Sequence, residues 1–131
     1  MKYFLAFFFL LASIGCVTAQ SFTRQDTLRG SITPERAWWD LTYYDLQISV
    51  DPENRSISGS NTIRYRVLEP ANRMQIDLQE PLEIKNAFQD GKELPLEREG
   101  DAYFIELIKA QSPGASEEVI VHYAGKPREA V

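Results

Sequence analysis

One cysteine and one histidine occur among 131 residues. Cys16 lies inside an apolar opening segment, and no cysteine follows it, so no disulfide can staple the domain. Stability has to come from core burial. With one imidazole and no later thiol, a catalytic zinc site lacks its usual set of three protein ligands and an open position. Apolar runs are scarce too. "YFLAFFFLLASIG" (3–15) falls short of the roughly 20 residues that a membrane helix needs, and nothing later approaches it. The 14 basic side chains are outnumbered by 19 acidic ones, for a net charge of −5. That excludes the basic stripe required by nucleic acid and fits plain solubility. There is no Gly-rich phosphate loop, no internal repeat and no sustained helical period.

What is present begins with export chemistry. Lys2, the apolar run and "VTAQ", with its small residues before a cut after Ala19, predict a signal peptide over 1–19. The mature chain is then periplasmic or extracellular. An alternative reading takes "SIGC" as a lipobox, with Cys16 as a lipid anchor, although Ser13 stands where leucine is usual. Residues 20–36, "QSFTRQDTLRGSITPER", are polar and aperiodic and read as a linker or loosely attached arm.

From Trp38 onward the period is two. Tyr44, Leu46, Ile48 and Val50 alternate with Asp45, Gln47 and Ser49, as in a strand with one buried face. "DPEN" (51–54) is turn chemistry. Ile57, Gly59, Asn61, Ile63, Tyr65 and Val67 share the next strand face, and Gly59 predicts a bulge with φ > 0 or a close backbone approach. Short strands follow around Met74–Leu78, Leu82–Phe88, Leu94–Leu96, "AYFIELI" and "VIVHY". Asp90-Gly91 suits a type I′ hairpin. The count is seven or eight short strands, which predicts an all-β fold, an antiparallel saddle-shaped sheet or sandwich, over residues 37–131. The expected core is Tyr44, Leu46, Ile48, Ile63, Tyr65, Ile76, Leu78, Ile84, Ile105, Leu107, Val119 and Val121.

Candidate chemistry is thin. His122 alternates with Val121 and Tyr123 and so points to the polar face, without partners at a recognisable spacing. Trp38 and Trp39 plug an open sheet end or, alternatively, form an aromatic platform for sugar or peptide. Glu93, Glu97, Glu99 and Asp101 read as a solvated loop rather than an acid/base pair. Ser56, Ser58 and Ser60 lack a nucleophile elbow and read as a polar face. "NRS" (54–56) fits a glycosylation sequon by accident. No catalytic, cofactor-binding or metal-binding residue is assigned on these grounds.

The ordered series "YYDLQISVDPENRSISGSNTIRYRV" (43–67), "RMQIDLQEPLEI" (73–84), "FQDGKELPL" (88–96) and "VIVHYAGKP" (119–127) resembles the N-terminal domain of the aminopeptidase N family of zinc metallopeptidases. The resemblance runs from about residue 35 to 128 and rests on Tyr44, Asp45, Leu46, Val50, Asp51, Pro52, Ile57, Gly59 and Ile63 in its first segment. It implies a saddle-shaped β-domain packed over a catalytic domain of the same parent chain, where a His-Glu-X-X-His helix and a later glutamate hold zinc. Peptide substrate would touch the β-domain only indirectly. The family's side chain for the substrate amine falls beyond the point matching Val131, and His122 matches no family ligand, so no functional residue carries over. The expectation is an incomplete, catalytically inactive leading part of a secreted aminopeptidase. The alternative is a free-standing secreted β-module that binds peptide or glycan.

Overall fold

The computed structural model describes residues 21–129; the predicted leader, the cut after Ala19 and Cys16 lie outside them. Two helices, α1 (Arg24–Gly30) and α2 (Pro34–Ala37), precede eight strands. These are β1 (Trp39–Asp51), β2 (Ser56–Val67), β3 (Arg73–Asp77), β4 (Glu83–Gln89), β5 (Lys92–Leu94), β6 (Leu96–Glu99), β7 (Ala102–Glu106) and β8 (Ser116–Gly125). A five-stranded sheet runs β1-β2-β8-β4-β5 and a three-stranded one runs β3-β7-β6. Every pairing is antiparallel. The all-β expectation holds.

The turns obey local chemistry. The Asp51 carboxylate accepts the Asn54 backbone N–H at 3.0 Å and its side-chain amide at 2.7 Å. Asp90 and Gly91 sit at φ 51° and 73°, the pair of positive values that a type I′ hairpin requires. Pro95 divides Leu94 from Leu96, so β5 belongs to the large sheet and β6 to the small one.

The long hairpin pairs Trp39 with Val67 and Asp51 with Ser56, and its one irregularity lies between Leu41 and Tyr43. The bulge expected at Gly59 is therefore a misreading: Gly59 faces Ile48 in a continuous ladder. The close approach is real. A Cβ there would lie 1.9 Å from the Gln47 carbonyl oxygen and 2.9 Å from the Tyr123 hydroxyl oxygen. From β8, the Tyr123 hydroxyl donates across β2 to that carbonyl at 3.0 Å.

The core lies between the sheets. Trp38, Tyr65, Met74, Ile105 and Val119 are buried in one cluster with Ile63, Ile84, Leu107 and Val121. Ile76 and Leu78 pack against it half-buried. Tyr44, Leu46 and Ile48, also expected in the core, are instead 50%, 55% and 53% exposed. Their face is the predicted one, opposite Ile63, Asn61 and Gly59. It is left open because strands of five, four and five residues cannot cover a hairpin whose arms are 13 and 12 residues long.

The described part of the segment expected as a linker or loosely attached arm, residues 21–36, carries α1 and most of α2. Thr23 caps α1: its hydroxyl accepts the Asp26 N–H, and the Asp26 carboxylate accepts the Thr23 N–H at 2.9 Å. This reciprocal box satisfies donors that a helix start leaves free. Leu28 is buried against Ala102 and Phe104 on the small sheet. Arg24 and Arg29 reach Glu99 and Asp101.

Candidate functional site

The uncovered half of the hairpin makes a groove of about 650 Å³. Its floor comes from strand register. Antiparallel partners share a face, so Tyr44, Ile63 and Val119 form one row, Leu46, Asn61 and Val121 the next, and Ile48, Gly59, Tyr123 and Ile84 a third. Ile76 and Leu78 supply the opposite wall, and Arg36, ion-paired to Asp77, stands at the rim. One polar atom in the floor has no partner: Asn61 Oδ1 is buried without a hydrogen bond. Burial raises the Tyr44 phenol's pKa, and the nearby Asp77 charge adds to the effect. Such a surface can hold apolar groups. It has no nucleophile beside a base.

Trp38 sits behind this groove and Trp39 lines one end of it. Trp38 is 3% exposed and donates its indole N–H to the Arg73 carbonyl at 2.8 Å. Trp39 donates to the Glu35 carbonyl at 3.0 Å, and both rings meet Tyr65 edge-on. The plug reading fits Trp38, which is unavailable as a platform. The Tyr65 hydroxyl accepts from the Gln89 amide at 3.1 Å, and burial pushes its pKa up to about 12.

His122 stands on the opposite, outer face of the large sheet. Its Nδ1 lies 2.7 Å from Asn86 Oδ1, and the ring is 5.6 Å from Phe88. Ser60 is directly opposite His122 in the β2–β8 ladder, a juxtaposition missed in the sequence. The signal for it was non-local pairing, which no motif carries. The imidazole's hydrogen bond goes to Asn86, not to Ser60, and Ser56 and Ser58 lie farther along β2.

Three of the four carboxylates are tied to separate arginines. Glu97 takes Arg73 at 2.6 Å, Glu99 takes Arg24 at 2.7 Å, and Asp101 takes Arg29 at 3.2 Å and the Glu80 N–H at 2.9 Å. The Arg24 hydrogen bond holds Glu99 below its ordinary pKa, and the Glu80 backbone N–H does the same for Asp101. Glu99 and Asp101 tie α1 to the small sheet, and Glu97 ties β6 to β3. Glu93 is exposed on β5. Among the described residues no three His, Cys, Asp or Glu side chains converge in a way that could hold a metal ion. The donor set does not fit zinc. No described helix is long and apolar enough to cross a membrane.

No protein-family model matches the chain, and no curated protein does. Solved structures do. An M1 zinc metallopeptidase from Deinococcus radiodurans is similar over 70% of this chain and 21% of its own, with TM-score 0.62 and 24% identity. A mutant of that metallopeptidase bound to a Tyr-Ser-Ala substrate matches 74% of this chain and 22% of its own at TM-score 0.63 and 22% identity. Native leukotriene A4 hydrolase from Saccharomyces cerevisiae matches 66% of this chain and 15% of its own at TM-score 0.55 and 20% identity. The chain thus has the fold of a segment of these enzymes and spans about a fifth or less of their length.

Proposed function

We propose that this chain is the N-terminal, non-catalytic β-domain of an exported zinc aminopeptidase of the M1, or aminopeptidase N, type. One observation carries the reading: some 70% of the chain superposes on a small segment of M1 zinc metallopeptidases. The ordered segments from Tyr43 to Pro127 point the same way. The export half of the proposal rests on the opening segment, with cleavage after Ala19 or, alternatively, lipidation at Cys16.

In this reading zinc belongs to the remainder of the parent chain, where it polarises the scissile carbonyl and lowers the pKa of its bound water. The residues here contribute shape. The groove beside Tyr44, Leu46 and Ile48 offers an apolar wall to the rest of the parent, and the domain screens one side of the peptide cleft from water. Peptide meets this domain only at the cleft's margin.

The test has two arms. The reading frame beyond codon 131 is expected to encode His-Glu-X-X-His, and a stop codon there without that motif downstream overturns the proposal. The purified chain is expected to carry no stoichiometric zinc and to release no amino acid from an aminoacyl-anilide, with His122→Ala indistinguishable from it. One equivalent of zinc, or turnover abolished by that substitution, would make the chain itself the enzyme.

A further inference from the structure

We propose that β1 is the seam of a homodimer, in which a second copy of this chain lays its own β1 antiparallel to this one, centred on Gln47. The two five-stranded sheets would then become one. The inference is independent of the parentage proposed above.

Among the described residues, nothing pairs with β1 on the side away from β2. Edge strands are usually guarded by lysine, proline, a bulge or short length. Between Tyr43 and Val50 this one has none of these, its one charge is Asp45, and the strand is 13 residues long. It carries instead a row of half-exposed apolar side chains, Tyr44, Leu46, Ile48 and Val50. The Gln47 carbonyl turns toward β2, where it accepts the Tyr123 hydroxyl. Since backbone groups alternate sides along a strand, the free N–H and C=O groups on the outer edge belong to Tyr44, Leu46, Ile48 and Val50.

Twofold symmetry and charge then select the register. Residues opposite one another must share a face, so the centre falls on a residue, not between two. Centring on Asp45 sets two carboxylates against each other. Centring on Leu46 leaves Val50 opposite Thr42, in the bulge. Centring on Gln47 sets Leu46 against Ile48, and Tyr44 against Val50, in both directions. Every apolar side chain of the row meets another. On the outer face Asp45 then meets Ser49 and Tyr43 meets Asp51, a carboxylate against a hydroxyl each time. No carboxylate faces another, although each chain carries a net charge of −5. Strand addition of this kind draws its affinity from main-chain hydrogen bonds and its specificity from alternate side chains.

Sedimentation equilibrium of the full chain should show a concentration-dependent monomer–dimer equilibrium. Gln47 is exposed, so its variants leave the core untouched. Gln47→Lys places two ammonium groups together at the twofold axis and should weaken the dimer about fivefold. In a Cys16→Ser background, Gln47→Cys should crosslink to dimer on mild oxidation, because the central pair is of the closely spaced, non-hydrogen-bonded type. Tyr43→Cys, whose counterpart is Asp51, should not. A monomer at every concentration overturns the proposal, as does a dimer indifferent to Gln47→Lys or crosslinking at position 43 as fast as at position 47.

Discussion

The two ends of the β1–β2 hairpin follow the same alternation and meet opposite fates. At the Trp39–Val67 end, Tyr65 is 0% exposed, lodged between two indoles and a glutamine amide. A few residues along the same face, Tyr44 is 50% exposed beside an open groove. Period two tells which face a side chain takes. Whether anything lies over that face depends on the length of the other sheet, and here that sheet runs out.

The largest expected effect sharpens this contrast. Ile63→Ala deletes buried methylenes at the groove's floor, where the covered half begins, and should cost about 2–5 kcal/mol. Leu46→Ala, on the open half, removes a side chain already 55% exposed and should cost under about 1 kcal/mol. Urea midpoints of the two variants, with slopes unchanged, measure the difference. Equal midpoints would mean that the open half is covered in solution.

Next comes a position that breaks the contrast, because openness does not make the outer half tolerant everywhere. Gly59→Ala would drive a methyl group into the Gln47 carbonyl and displace the Tyr123 hydroxyl. Overpacking against backbone costs about 1–3 kcal/mol. Tyr123→Phe, which loses only the hydrogen bond, should cost about 1 kcal/mol. If Gly59→Ala matched wild type in thermal unfolding, the close approach would be refuted.

The smallest effect concerns α1. Glu99 and Asp101 have folded pKa values held below their ordinary 4.5 and 3.8. A depressed pKa contributes stability that is present above the ordinary value and is lost as pH falls through the folded one. Both carboxylates lie at the surface, where solvent screens them, so the loss is local rather than global. Amide exchange at Leu28 should therefore quicken, relative to that at Val119, as pH is lowered below about 4. Glu99→Gln should remove part of that dependence. An α1 exchange ratio flat across this range would detach the helix from its ion pairs.

Much of the architecture was legible because it is local. Asp51, Asn54, Asp90 and Gly91 announce their turns, and the apolar faces of β2, β7 and β8 were read correctly. Gly59 was singled out for the right close contact and the wrong dihedral. α1 was legible too: Thr23 and Asp26 stand at capping-box spacing, and Leu28 is the one large apolar side chain of the helix. The rest depended on long-range geometry. Ser60 and His122 meet only because β8 inserts beside β2, and Leu94 and Leu96 part only because Pro95 moves the chain between sheets. The groove was invisible for a related reason, since a strand's pattern carries no information about where its covering layer ends.

That Pro95 crossing is one of four. β5 lies at the margin of the large sheet farthest from β1, and one residue later β6 begins at the margin of the small sheet. Every other strand of the large sheet except β1 is likewise joined directly to a strand of the small one, β2 and β4 to β3 and β8 to β7. The two layers are thus laced together from end to end, and β1 is the flap that no lace crosses. A body pressed into the groove can bend the row of Tyr44, Leu46 and Ile48 without pulling on any of the four crossings.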